Sequence, residues 1–247
     1  MKVSPRTVIA TASVAFAVVI GIGGCGSHGS NSVASSGASA SATKGDAATI
    51  LNSAADALRK LTGMHVSLAV QGEVPNLLVT KLEGDISTTP KMVATGTATI
   101  RVGQSPQDAK FVYVDGHLYS DLGKPGSYTD FGNGKSIYNV SVLLDPKQGL
   151  ANVVSKLQGA SVAGTEQVNG VATTKITGNS STDDIATLAG YKLTAKDVKT
   201  VPTTLWIASD GSSHLVQIQI HPTGDTSVTL TMSDWGKQVT ATKPPTT

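Results

Sequence analysis

The residues of this chain that could do chemistry are few and badly placed for it. Five histidines, His28, His65, His117, His214 and His221, are scattered along its 247 residues. His214 and His221 fall on one expected strand, but a separation of seven positions puts them on opposite faces of it, because strand side chains alternate. They cannot easily share a metal ion. Asp210-Gly211-Ser212-Ser213-His214 sets serines near a histidine, yet the Asp-Gly pair is first a turn signal. A serine nucleophile also needs a base within hydrogen-bond reach and an acid to orient that base. No HExxH, GxSxG, phosphate-binding glycine loop or paired-cysteine pattern occurs. The expectation is a protein that is not an enzyme and has no catalytic residue, metal ligand or cofactor.

One position does carry a covalent signal. Cys25 is the only cysteine, so the chain can form no internal disulfide. Ahead of it come a basic start with Lys2 and Arg6, an apolar stretch from Val8 to Ile20, and the small residues of Gly21-Ile22-Gly23-Gly24. Basic, apolar and small in that order is the pattern of a secretory signal peptide. The apolar stretch falls short of the roughly 20 residues a spanning helix needs. Ile22-Gly23-Gly24-Cys25 resembles the lipobox of bacterial lipoproteins, in which the cysteine thiol is joined to diacylglycerol, the chain is cut in front of it, and the new amine can be acylated too. Two or three acyl chains anchor firmly where one, at about 0.8 kcal/mol per buried CH2, holds only marginally. Residues 1–24 are thus expected to be a signal peptide. Cys25 is expected to be a lipid anchor, palmitate included, on the outer (periplasmic) face of the cell membrane, with shed or cell-wall-associated molecules as an additional location.

Loss of Lys2 and Arg6 with the signal brings the 19 basic residues down to the number of the 17 acidic ones. A neutral mature chain argues against nucleic acid as a partner, which would favour a basic face, and gives no polybasic membrane contact. Residues 25–45 continue with Ser, Ala, Gly, Asn and Thr and cannot bury enough surface to fold. They read as a flexible tether with a span of about 25 Å. Residues 46–237 read as one domain, long enough to bury a substantial core, and residues 238–247, rich in Thr and Pro, as an extended tail.

The elements of that domain follow from periodicity. Asp46 is a good N-cap, Ala47, Ile50, Leu51, Ala54, Leu58 and Leu61 recur at helical spacing, and Gly63 is placed to end the helix. Asp145-Pro146 is expected to open a second helix with Leu150, Val153, Val154 and Leu157 on its apolar face. Ser181 with Asp184, then Ile185, Leu188 and Gly190, suggests a short capped helix, and Thr194 to Val198 a further helical turn. Elsewhere the period is two. Val66, Leu68 and Val70 alternate with polar residues, as do Leu78 to Leu82, Met92 to Ile100, Val216 to Ile220 and Val228 to Met232. Asp115-Gly116 and Asn169-Gly170 are hairpin signals. Alternation of this kind gives a strand one wet and one covered face, as in an antiparallel sheet, and the helices must supply the cover. The class is α+β.

Six aromatic residues, Phe111, Tyr113, Tyr119, Tyr128, Phe131 and Tyr138, crowd one stretch. They could line an entrance or simply pack a hairpin. The remaining strands offer mainly Val, Leu, Ile, Ala and Thr, which fit equally an ordinary core and a wall around an apolar ligand.

Longer motifs carry a family resemblance. Val74-Pro75-Asn76-Leu77, Gly84-Asp85-Ile86-Ser87-Thr88-Thr89-Pro90, Ser127-Tyr128-Thr129-Asp130-Phe131-Gly132, Gly149-Leu150-Ala151-Asn152-Val153-Val154, Val201-Pro202-Thr203-Thr204-Leu205-Trp206-Ile207 and Asp234-Trp235-Gly236 occur in order. Together they resemble the mycobacterial lipoproteins of the LppX and LprAFG family. The resemblance implies a single curved antiparallel sheet, a half-barrel, with helices packed on its concave face around an apolar cavity. It also implies an acylated lipid or glycolipid in that cavity, carried across the cell envelope, with an envelope transporter as a candidate partner. Alternation then nominates Val66, Leu68, Leu82, Met92, Ala94, Ile100, Val153, Leu157, Val216, Ile218, Val228 and Leu230 as lining, some of them ordinary core. The alternative is an envelope lipoprotein displayed at the surface, acting by binding another protein or a host receptor without moving lipid.

Overall fold

A computed structural model of the protein describes residues 44–246; the signal peptide, Cys25 and nearly all of the tether lie outside the described residues. Helix α1 spans Lys44–Arg59. Ala47, Leu51, Ala54, Ala55 and Leu58 are buried along one stripe of it, which is the spacing of a single face at 3.6 residues per turn. Gly63 does not end this helix. It opens strand β1 (Gly63–Gln71), where a Cβ would collide with the carbonyl oxygen of Lys237. The glycine answers a close chain crossing, a long-range contact that is invisible in the local sequence.

Five more strands follow: β2 (Val79–Ser87), β3 (Val93–Val102), β4 (Ser105–Val114), β5 (His117–Ser120) and β6 (Thr129–Asn133). A crossing segment with two 3-10 turns, Gly134–Ser136 and Val140–Leu144, leads to helix α2 (Leu150–Ser155). Then come β7 (Gln158–Val168), β8 (Val171–Ser181), helix α3 (Thr182–Ala189), β9 (Thr200–Ala208), β10 (Leu215–Ile220) and β11 (Ser227–Ser233). The eleven strands form one open sheet in the order β6-β5-β4-β3-β2-β1-β11-β10-β9-β8-β7. Each neighbouring pair is antiparallel. Both expected hairpins are present, with positive φ at Asp115, Gly116, Asn169 and Gly170, the conformation of type I′ turns.

The helical expectations need correction in two places. Asp145-Pro146 does not start α2. The Asp145 carboxylate instead accepts the N–H groups of Lys147 and Gln148 at 2.8 and 2.9 Å, closing a separate turn, and the helix begins after Gly149. Thr194–Val198 forms no helix and only turns the chain, with the Val198 N–H on the Ala195 carbonyl. Helix α3 is capped at the expected serine, while Asp184, expected to complete that cap, accepts from Asn152 of α2 instead. The Ser181 hydroxyl accepts the Asp183 N–H, and Gly190 ends the helix at φ 82°.

All three helices lie on one face of the sheet. Their buried residues join Met64, Val66, Ile86, Ala94, Tyr113, Ile176, Leu205, Leu215, Ile218 and Met232 in one apolar cluster. Gly84 of β2 stands directly opposite Gly96 of β3. A Cβ on Gly96 would strike the Glu83 carbonyl oxygen and come within 2.9 Å of the Phe111 ring. The two glycines therefore allow a close backbone approach and leave room for Phe111 across the inner face.

The opposite, outer face carries a second, smaller cluster of Val93, Val114 and Tyr119, with Val112, Tyr128, Val239 and Ala241 packed against it. The last two belong to the C-terminal segment, which is extended but docked as a strap. Lys237 Nζ donates to Asp85 Oδ1 at 3.0 Å, the Lys243 ammonium lies 5.6 Å from the centre of the Tyr119 ring, and Thr246 bridges to Tyr128.

Candidate functional site

The candidate site is the apolar layer between the inner sheet face and the helices. Of the nominated lining residues, Val66, Ala94, Val153, Leu157 and Ile218 are buried in that layer, and Leu82, Met92, Val228 and Leu230 are half-buried against it. Leu68 pairs with both Leu82 and Leu230, so it shares their face. Ile100 stands opposite Val79 and Gln107, beyond the cluster. Val216 is misplaced by the alternation argument. The register slips between Leu215 and Gln217, so Val216 is the extra residue of a bulge. It is buried, yet lies outside the cluster that holds Leu215 and Ile218. A bulge interrupts the two-residue period and re-aims its side chains. Met64, Ile86 and Ile176 are among the most deeply buried inner residues and were not nominated, although Met64 sits one alternation step before Val66.

Apolar side chains pack this layer, and open space appears at its margins. One pocket of about 320 Å³ is lined by Lys91, Met92, Tyr113, Asp115, Gly116, Lys135 and Ser141. It lies where the β4–β5 hairpin meets the crossing segment. A second, of about 200 Å³, runs between α1 and the start of β7 and is lined by Ala48, Leu51, Asn52, Ser155, Leu157, Gly159 and Ala160.

Hydrogen bonds tie parts of the helical layer to one another. The Tyr138 hydroxyl donates to the Leu188 carbonyl at 2.8 Å. Burial, and then the neighbouring Tyr191, push the Tyr138 phenol far above its ordinary value, so it stays a donor. Asn152 Nδ2 donates to Asp184 Oδ1 at 2.8 Å, which joins α2 to α3. Against the sheet, the buried Ala and Leu stripe of α1 makes apolar contact, which is non-directional.

The four histidines among the described residues make structural contacts, and His28 lies outside those residues. His65 lies with Nδ1 2.7 Å from Asp85 and Nε2 3.2 Å from Glu83, on the face away from the helices. His117 pairs with Asp130 at 3.0 Å, and His221 Nδ1 is 3.1 Å from the Thr226 carbonyl. His214 stacks on Trp235 at 4.6 Å, and its pKa is lowered by burial against the opposing charge of Asp210. The Ser212 hydroxyl donates to Asp210 at 2.6 Å, so this serine is held in a turn. Among the described residues no three His, Cys, Asp or Glu side chains are grouped to hold a metal ion.

Comparison with known proteins agrees with this architecture. The family model described as LppX_LprAFG lipoprotein matches residues 46–241. Lipoprotein LprA of Mycobacterium tuberculosis is 72% identical over 244 residues, covering 99% of this chain and 100% of that protein. The lipoarabinomannan carrier protein LprG of Mycolicibacterium smegmatis is 41% identical over 200 residues, covering 81% of this chain and 83% of its own length. The crystal structure of LprF from Mycobacterium bovis superposes with a TM-score of 0.72 at 25% identity, over 82% of this chain and 99% of that one.

Proposed function

The chain belongs to the LppX_LprAFG lipoprotein family, and from that premise we propose that it is a lipid-anchored carrier of acylated lipids or glycolipids in the cell envelope. The observation that carries the reading is the long apolar inner face, covered by helices whose contact with it is largely non-directional. LprG relatives are named as lipoarabinomannan carriers, which supports a lipid ligand with a glycan head.

The physics of loading is an exchange of covers. A free acyl chain in water costs about 0.8 kcal/mol per exposed CH2, so a multi-acyl lipid moves between membranes very slowly unaided. If the helices shift outward, acyl chains replace their side chains on the sheet. The same apolar area stays dry before and after, and the exchange needs little net hydrophobic free energy. Attachment through Cys25 keeps the domain at the membrane surface, and the tether lets it turn toward donor and acceptor.

Two measurements test this reading. Residues 26–247, expressed without the signal and Cys25, are expected to co-purify with acylated lipid by mass spectrometry and to move fluorescent lipid between vesicles. An empty protein that moves none would favour the alternative of an envelope protein acting by display. In the full chain, Cys25→Ala is expected to abolish labelling by palmitate and release the protein from the membrane fraction.

A further inference from the structure

Among the described residues, four large apolar side chains stand exposed to water: Leu78, Val102, Phe131 and Ile137. One such residue alone needs no explanation. Leu78 and Val102, however, come from neighbouring strand ends. The Leu78 carbonyl accepts the Arg101 N–H at 2.8 Å, where β2 is about to begin and β3 is about to end. Phe131 lies on β6, a lateral edge of the sheet. Ile137 follows the 3-10 turn whose Gly134 N–H donates to the Gly116 carbonyl at 2.9 Å, in the β4–β5 hairpin at the opposite strand ends.

Local structure holds Leu78 in water. Asn76 takes a positive φ of 64°, and its side-chain amide donates to the Lys192 carbonyl at 3.1 Å. The Leu78 N–H donates to the Tyr191 hydroxyl. The β1–β2 loop is thus fastened to the segment after α3, with Leu77 on the core cluster and Leu78 outside it. Cations flank these residues, Arg101 next to Val102 and Lys192 next to Tyr191. Arg101 pairs with Glu73 at 2.9 Å and Lys192 with Asp183 at 3.4 Å, and both carboxylates are largely exposed, so water screens the pairs.

The same end of the sheet receives the tether. Strand register carries this end from the start of β7 through β8, β9, β10, β11 and β1 to Leu78 and Val102. Helix α1 sets Ala48, Leu51 and Asn52, from its first half, beside Gly159 and Ala160 at the start of β7. Its last residue, Arg59, leads into β1 at the other end. Lys44, where α1 begins, therefore lies on the end that carries Leu78 and Val102, and the chain from Cys25 joins there.

We propose that this end of the sheet docks on the membrane, with Leu78 and Val102 entering the bilayer surface. The proposal rests on attachment through Cys25 and adds which surface of the domain meets the bilayer. The tether, with a span of about 25 Å, holds the domain near the membrane. The second contact is then intramolecular, and two aliphatic side chains suffice for a docking that could not hold a free protein. Tyr191, with an apolar ring and a polar hydroxyl, suits the boundary between lipid and water. Arg101 and Lys192 can lay their stems along the apolar tips and keep their charge in water.

The test holds residues 26–247, which contain no cysteine, by an N-terminal polyhistidine tag on phosphatidylcholine vesicles that carry a nickel-chelating lipid. Leu78→Cys, Val102→Cys, Phe131→Cys and Ile137→Cys, one at a time, carry an NBD fluorophore. All four positions are exposed, and an unchanged melting temperature checks that each labelled chain is folded. Emission from positions 78 and 102 is expected to shift to the blue on the vesicles and to be quenched by brominated acyl chains. Emission from positions 131 and 137 is expected to stay that of the free protein. With the label at position 78, Val102→Ser is expected to lower the ratio of docked to undocked protein about tenfold, the scale of one aliphatic side chain left in water. Unquenched emission at position 78 or 102, or equal quenching at all four positions, would overturn the docking surface and leave the attachment through Cys25 intact. A blue shift that appears without vesicles as the protein is concentrated would give the tips to a second copy of the chain and overturn the bilayer as their partner. Absence of palmitate from the full wild-type chain would overturn the attachment, and the docking with it.

Discussion

Asp121 follows β5 and is nearly inaccessible, at 3% exposure. Its carboxylate accepts the backbone N–H groups of Lys110 at 2.6 Å and Gly126 at 2.8 Å. Burial alone would raise its pKa, but these hydrogen bonds outweigh burial and hold it below the usual carboxylate range. Asp85 behaves alike. Burial raises it, and the hydrogen bonds from His65 and Lys237, with the Lys237 charge, bring it below its ordinary value. A carboxyl whose folded pKa lies below its unfolded one contributes stability that is complete above the unfolded value, about 3.9 for Asp, and is lost as pH falls through the folded value. Urea unfolding is therefore expected to give constant stability, as far as these two groups decide it, from pH 7 to about 5 and a decline below about 4. Asp121→Ala should cost about 2 kcal/mol at neutral pH in the same measurement and make the acid decline shallower. Neither carboxyl stood out in the sequence, because their roles depend on which backbone groups and which distant lysine the fold delivers. In the pocket between the β4–β5 hairpin and the crossing segment, Met92→Trp is expected to fill the space beside Tyr113. Mass spectrometry should show less bound lipid while the melting temperature stays nearly unchanged.

At the scale of elements, local signals are legible in the sequence and long-range ones are not. The apolar stripe of α1, the capping of α3 by Ser181 and Gly190, and the two Asp-Gly and Asn-Gly hairpins all depend on neighbours a few residues apart. They appear where the sequence places them. Gly63 and Asp145-Pro146 depart from the helical expectation because glycine and Asp-Pro serve several geometries, and only the crossing of Lys237 or the turn at Lys147 decides between them. The bulge at Val216 breaks an alternation that reads cleanly from Val216 to Ile220, and no residue type announces it. The Gly84–Gly96 pair is another such long-range feature. Gly96→Val is expected to cost about 3 kcal/mol or more, since overpacking here meets the backbone of the next strand as well as Phe111. Denaturant midpoints would show it. Removing the strap by ending the chain at Gly236 should expose Val93, Val114 and Tyr119. The expected loss is about 2 kcal/mol, with faster amide exchange in β4 and β5 and little change in β8 and β9.

At the scale of the whole molecule, one-sided strands and amphipathic helices sufficed for an α+β class with helices on one face. The strand order was beyond them, because pairing partners far apart in sequence leave no periodic trace. That order places β1 beside β11, with His65 opposite Ser233, so the first and last strands of the domain meet in the middle of the sheet. In time, the middle is completed last. Each half of the sheet can zip from hairpins as its strands become available, but the two halves share no backbone ladder until Ser227–Ser233 arrives. Joining them closes nearly the whole domain into one loop, the slow kind of contact that long sequence separation imposes. Pulse-labelled refolding should show amides of β7 and β8 protected early and those shared by β1 and β11 protected last. A chain that emerges from its N-terminus onward would wait with two open apolar half-sheets until its final strand closes the seam.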